Sequence, residues 1–156
     1  SLLDEMLLAA NLAPSWKNSQ TPRFYVATGE KSKNAVREAL PEFNRKNSEN
    51  ASAYIVTTVV LNRSGFDKDG TAVTEIGNGW GYYDLGLNNM ALLLKATELG
   101  ISTLVMGIRD GEKLRKEFDI PETEAVVSVI AVGYTDSEIV RPKRKSVEDF
   151  AKFYED

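Results

Sequence analysis

Between an apolar helical pattern and an aromatic strand lies Ala13-Pro14-Ser15-Trp16-Lys17-Asn18-Ser19-Gln20-Thr21-Pro22, the stretch of this chain best equipped to hold a ligand. Pro14 stops a helix, and Ser15 and Asn18 put hydrogen-bonding side chains on the turn that follows. Gln20 and Pro22 then feed Phe24-Tyr25-Val26. Polar groups held between a rigid helix and a rigid strand suit a flat, heteroatom-rich molecule. The same composition also makes an ordinary capped turn, with Trp16 and Lys17 simply exposed. The chain has no histidine and no cysteine. That excludes disulfides, thiol chemistry, zinc sites, Ser-His-Asp triads and Cys-His dyads. The Asp and Glu residues form no convincing catalytic pair, and caps and solubility explain them better. No side chain is assigned to catalysis and none to a metal, so a cofactor would have to carry any chemistry.

Helices and strands alternate around that turn. Leu3, Met6, Leu7 and Ala10 recur at helical spacing, which predicts an amphipathic helix over 2–12. A strand over 23–28 follows, then a helix over 31–40 with Val36 and Leu40 inward and Pro41 at its end. Tyr54-Ile55-Val56-Thr57-Thr58-Val59-Val60-Leu61 is an almost unbroken β-branched run, expected for a strand buried on both faces. Asn62 to Gly79 is polar and glycine-rich, the composition of a lid, a binding segment or a mobile loop. Gly77-Asn78-Gly79-Trp80-Gly81 follows no strand and reads as hinge or lid, not as a phosphate cradle. Residues 84–99 are apolar on nearly every side, predicting a helix buried all round, centrally or in an oligomer interface. A strand over 101–108, a short helix capped by Asp110, a strand over 125–134 and a final helix opened by Ser146-x-x-Asp149 complete the chain.

These 156 residues fit one domain, 1–156, of α+β or α/β class with helices packed on a central sheet. No Gly-x-Gly-x-x-Gly follows a strand and no Walker sequence occurs, which disfavours dinucleotide-binding Rossmann folds and P-loops. A net charge of −4 argues against nucleic acid as partner, and the basic run Arg141-Pro142-Lys143-Arg144-Lys145 alone is weak support for it. No stretch approaches a membrane span and no signal peptide opens the chain, so a cytoplasmic location is expected.

The spacing Pro-Ser-x-x-Asn-x-Gln-x-Pro before an aromatic strand resembles the flavin-binding turn of the nitroreductase family, with Thr21 interposed between a usually adjacent Gln and Pro. Further pieces follow in the family's order: Asp84-x-Gly86-x-x-Asn89 into a Leu-rich helix, Glu98-Leu99-Gly100-Ile101-Ser102-Thr103, Met106-Gly107-Ile108, Ile120-Pro121-Glu122, Val132-Gly133-Tyr134 and the basic tail. The resemblance implies a central mixed sheet flanked by helices, with the long helix at a homodimer interface. It also implies FMN as cofactor, NAD(P)H as hydride donor, and a nitroaromatic, quinone or similar acceptor. A non-catalytic flavin-binding or interaction protein of the same fold is the alternative. The family's Arg-x-Ser-x-Arg phosphate grip, which precedes its first helix, is missing from these residues; either it lies upstream of Ser1 or this member binds flavin less tightly.

Carried over residue by residue, the resemblance makes Pro14, Ser15, Trp16 and Asn18 flavin contacts made across a dimer interface. Asn44, read as a loop residue ahead of the strand, matches the asparagine at the ring's pyrimidine edge. Lys46 is the candidate cation for a reduced ring, while Arg45 reads as solvated loop charge. Met106 and Gly107 would approach the ring through backbone, and Lys143, Arg144 and Lys145 would meet the FMN phosphate.

Overall fold

The β-branched run becomes the middle of a sheet. In the computed structural model, which describes residues 1–155, it forms β2 (Ala53–Val60), buried along all but its last residue. The elements around it are α1 (Leu2–Asn11), β1 (Pro22–Ala27), α2 (Glu30–Glu38), α3 (Glu42–Asn47), α4 (Gly79–Glu98), β3 (Ser102–Met106), α5 (Gly111–Glu117), β4 (Glu124–Gly133) and α6 (Val147–Phe150). The strands lie in the order β1-β2-β4-β3. Successive residues of β2 point to opposite faces, so both faces need cover. Ile55 packs with Ile130, Met6, Ala10, Leu92 and Ala96 beneath α1 and α4. Tyr54 and Val56 pack with Val129, Val36, Leu40 and Leu114 beneath α2 and α5. Each such fully buried aliphatic side chain contributes roughly 1.5–3 kcal/mol.

All three strand pairings are antiparallel, which corrects the expected mixed sheet. β2 and β3 do run the same way, as a helical crossover between them favours. β4 is inserted between the two, however, and gives each an antiparallel neighbour.

The α4 helix begins five residues before Asp84, where the sequence suggests a hinge. Gly79 and Gly81 are helical because the first turn packs closely: a Cβ on Gly81 would sit 2.9 Å from Val59 Cγ2. The preceding loop is tied to itself. Asn62 N–H donates to Asn78 Oδ1 at 2.7 Å, and Asn78 Nδ2 returns a bond to Asn62 Oδ1 at 2.9 Å. In the single chain α4 is also not buried all round. Leu85, Asn88, Leu92 and Ala96 are buried, whereas Met90 and Leu94 remain more than half exposed.

The stretch around Asn44 is a helix and not a loop. Pro41 ends α2's segment and caps α3, whose six residues, all polar but Phe43, are too few to show a helical period. Arg45 is exposed, as solvated charge would be, and its Nε also donates to the Arg37 carbonyl at 3.1 Å and its Nη2 to the Leu40 carbonyl at 3.2 Å. At the other end of the chain, Ser146 N–H donates to Asp149 Oδ2 at 3.0 Å, opening α6 as its sequence suggests. No helix of the described residues is long and apolar enough to cross a membrane.

Candidate functional site

After Pro14 the chain makes one 3-10 turn over Trp16–Asn18 and doubles back into β1. Lys17, Asn18 and Gln20 take left-handed φ values of 46°, 55° and 49°. A non-glycine residue adopts that region at a cost of about 1–2 kcal/mol, least for asparagine, so the surroundings must hold it there. Two tethers do so. Gln20 N–H donates to Ser15 Oγ at 3.0 Å and closes the turn. Trp16 N–H donates to both carboxylate oxygens of Asp84, at 3.2 and 3.1 Å. Asp84 lies on α4, is 2% exposed, and also receives the Ser64 hydroxyl at 2.5 Å. Trp16 stacks at a tilt on Trp80, ring centres 4.7 Å apart, and Trp80 Nε1 donates to Thr74 Oγ1. The turn is therefore clamped to α4 and to the 62–78 loop by buried polar contacts.

The turn forms one wall of a cleft of about 460 Å³ between α1 and the start of β1. Ser15, Asn18, Ser19 and Gln20 line it from the turn, Asn88 from α4, and Arg23 and Arg63 from either side of the sheet edge. Ser19 Oγ is buried there with no hydrogen-bond partner among the described residues. Such an orphan suits a ligand that brings its own donor or acceptor.

A second group forms where β3 leaves the sheet. Asn44 is 9% exposed, and its Nδ2 donates to the Ile108 carbonyl at 3.1 Å. The bond anchors α3 beside Met106-Gly107-Ile108 and leaves Asn44 Oδ1 without a partner among the described residues. Met106 is buried in the core, whereas a Cβ on Gly107 would meet nothing within 4 Å. Phe43 and Ile108 beside this ledge are about three-quarters exposed. An open backbone, a fixed amide and apolar neighbours fit a flat ring lying across them. Lys46 is on the same helix and exposed.

The fold thus gathers the predicted residues into two groups. Pro14, Ser15, Trp16 and Asn18 belong to the turn; Asn44, Lys46, Met106 and Gly107 belong to the ledge. The turn enters edge strand β1 and the ledge leaves edge strand β3 at the opposite side of the sheet. Three inter-strand spacings, about 14 Å, separate those edges. Lys143, Arg144 and Lys145 are exposed in the segment before α6, and among the described residues no hydrogen bond or ion pair joins them to either group. Arg23 and Arg63 are site residues that motif reading does not find, standing 40 positions apart in sequence. Asp84 does open a motif in the sequence, but its hold on the Trp16 N–H is not visible there.

The profile of the Nitroreductase family matches residues 1–134. No curated protein matches the chain. Among solved structures, a nitroreductase family protein from Streptococcus pneumoniae superposes with a TM-score of 0.81 at 21% identity, covering 98% of this chain and 88% of the other. CLA-ER, an enone reductase of gut-bacterial fatty acid saturation metabolism, superposes with a TM-score of 0.83 at 20% identity, covering 97% and 85%. An oxidoreductase described as containing FMN is 25% identical with a TM-score of 0.74, covering 87% and 67%. With a family match that runs through the turn, the ledge and all four strands, the chain belongs to the nitroreductase family.

Proposed function

We propose that this chain is an FMN-dependent oxidoreductase that takes hydride from NAD(P)H and passes it to a nitroaromatic, a quinone or a similar acceptor, working as a homodimer. The observation that carries the reading is the ledge, where a buried amide is fixed next to an open glycine backbone. Bound flavin would supply the two-electron chemistry that a chain without histidine or cysteine lacks.

The chain's own residues bind and orient. Asn44 holds the Ile108 carbonyl with Nδ2 and offers Oδ1 to a ring N–H, matching the alternating donors and acceptors of a pyrimidine edge. Gly107, lacking a side chain, lets the backbone N–H come close to the ring. Lys46 provides a cation for charge that builds on the ring during reduction. Ser15 and Asn18 of a second copy complete the pocket, which accounts for the separation of turn and ledge within one chain. Lys143, Arg144 and Lys145 serve the terminal phosphate.

Chromatography of the cofactor released on denaturation is expected to give FMN, and FAD as the dominant species would overturn the assignment. Anaerobic NADH or NADPH is expected to bleach the flavin spectrum rapidly. A flavin that stays oxidised with both would leave a binding protein without turnover. Replacing Lys143 and Lys145 by alanine should weaken FMN by about 2–4 kcal/mol if both make charge-assisted bonds, less if exposed, with riboflavin nearly indifferent.

A further inference from the structure

The cleft beside the turn differs in charge from the molecule as a whole. The chain is acidic, with a net charge of −4, yet no aspartate or glutamate lines the cleft among the described residues, and two arginines do. Arg23 is pinned in place: its Nη1 donates to the Gln20 carbonyl at 2.7 Å and to the Pro22 carbonyl at 2.8 Å. The left-handed Gln20 at φ 49° belongs to the turn whose carbonyl this guanidinium reads. The remaining nitrogens of Arg23 make no hydrogen bond among the described residues. Arg63 also lines the cleft, is exposed, and its side chain makes neither an ion pair nor a hydrogen bond among those residues. The same cleft is lined by Ser19, whose buried Oγ has no partner among the described residues, and by Asn18 and Asn88, all neutral. Two forked cations sharing a cleft with neutral polar groups and no competing carboxylate fit a planar or tetrahedral oxyanion.

We propose that the cleft is an anion subsite, in which Arg23 and Arg63 select a substrate carrying a carboxylate or phosphate group. The inference rests on the oxidoreductase reading for what the substrate does, but not for its binding. The oxyanion belongs either to the electron acceptor, as a carboxylate, or to the nicotinamide dinucleotide, as phosphate. Aromatic Trp16 and Trp80 behind the turn place a fluorescent reporter near the cleft, and the chain has no other tryptophan.

Quenching of that fluorescence by 4-nitrobenzoate and by neutral 4-nitrobenzamide, titrated into the protein as purified, reads binding without turnover. Nitrobenzoate is expected to bind about tenfold more tightly than the amide, as one charge-assisted contact in a half-open site allows. Arg63→Gln and Arg23→Gln should each abolish most of that preference, Arg63→Lys should restore a good part of it, and Lys31→Gln on α2 should leave it unchanged. Added salt should shrink it. If the dinucleotide supplies the anion, the preference is absent, but Arg63→Gln raises the KM for NADH and NADPH about tenfold with the KM for nitrobenzamide unmoved. That result supports the subsite and names its occupant. Arginine variants that change neither the nitrobenzoate preference nor the dinucleotide KM would overturn it. A protein that keeps the preference but oxidises no NAD(P)H would retain the subsite and lose the oxidoreductase reading, so the two failures are distinguishable.

Discussion

Asn44 stands between two partners, with Nδ2 bound to the Ile108 carbonyl and Oδ1 free for a ligand. Asn44→Leu should lower riboflavin and FMN affinity by the same amount, about 1–3 kcal/mol, because the lost partner is on the ring. A loss confined to FMN, measured by parallel titrations, would move the residue to the phosphate. Tyr25 gives a test of a different kind. Its hydroxyl donates to buried Glu124 Oε2 at 2.9 Å, beside the Thr58 hydroxyl on the same oxygen. Burial first, then the bond to Glu124, pushes the phenol up to about 12 from an ordinary 10.0. A folded-state value above the unfolded one means that the unfolded chain releases its proton first as pH rises. The stabilisation is therefore complete below about pH 10 and is lost as pH climbs towards 12. Urea midpoints followed from pH 9 to 12 should fall for the wild type through about this window. Tyr25→Phe should start about 1 kcal/mol lower and fall less steeply. Equal slopes would show that the phenol does not control the alkaline limb. At this scale the sequence yields Asn44 only through its order in a family pattern. Arg23 and Arg63 carry no local signal, because one is a lone charge in β1, the other a lone charge just after β2, and only β1–β2 pairing brings them to one cleft.

Elements with strong periodicity were legible. The run over 54–61 gives β2 almost to the residue, since a strand covered on both faces must be apolar throughout. The apolar pattern from residue 84 likewise gives the body of α4. Its first turn was not legible, because Gly79 and Gly81, which signal a hinge locally, are here demanded by Ile76 and by Val59 packed against them. Neither was α3, too short and polar for a period, nor the strand order, which β4 decides by entering between β2 and β3. The tether from Asp84 to Trp16 spans 68 positions and leaves no local trace. Asp84→Ala would strand the Trp16 N–H and the Ser64 hydroxyl in a buried place. A loss of about 2–6 kcal/mol is expected from two unpaired groups at roughly 1–3 kcal/mol each, seen as a lower urea midpoint. Asp84→Asn, which keeps an acceptor for Trp16, should lose clearly less. Equal losses would mean that charge, not the hydrogen bonds, holds the turn.

For the molecule as a whole, one face is unaccounted for by the single chain. Leu8 and Leu12 of the α1 segment and Leu94 of α4 are 64%, 86% and 58% exposed and lie along a common groove. Apolar surface of that kind is normally covered. Light scattering at micromolar concentration is expected to return a dimer, and Leu94→Glu to return a monomer with unchanged circular dichroism. A wild-type monomer would refute the cross-subunit site. The distance between turn and ledge then has a genetic consequence. If each pocket takes its turn from one copy and its ledge from the other, Asn18→Gly and Asn44→Leu damage different halves of a shared structure. Co-expressed, the two variants pair at random, and half of their dimers are mixed. Every mixed dimer contains one pocket with both lesions and one with neither. At flavin concentrations too low to fill a damaged pocket, the two alleles should therefore complement each other to about a quarter of wild-type activity.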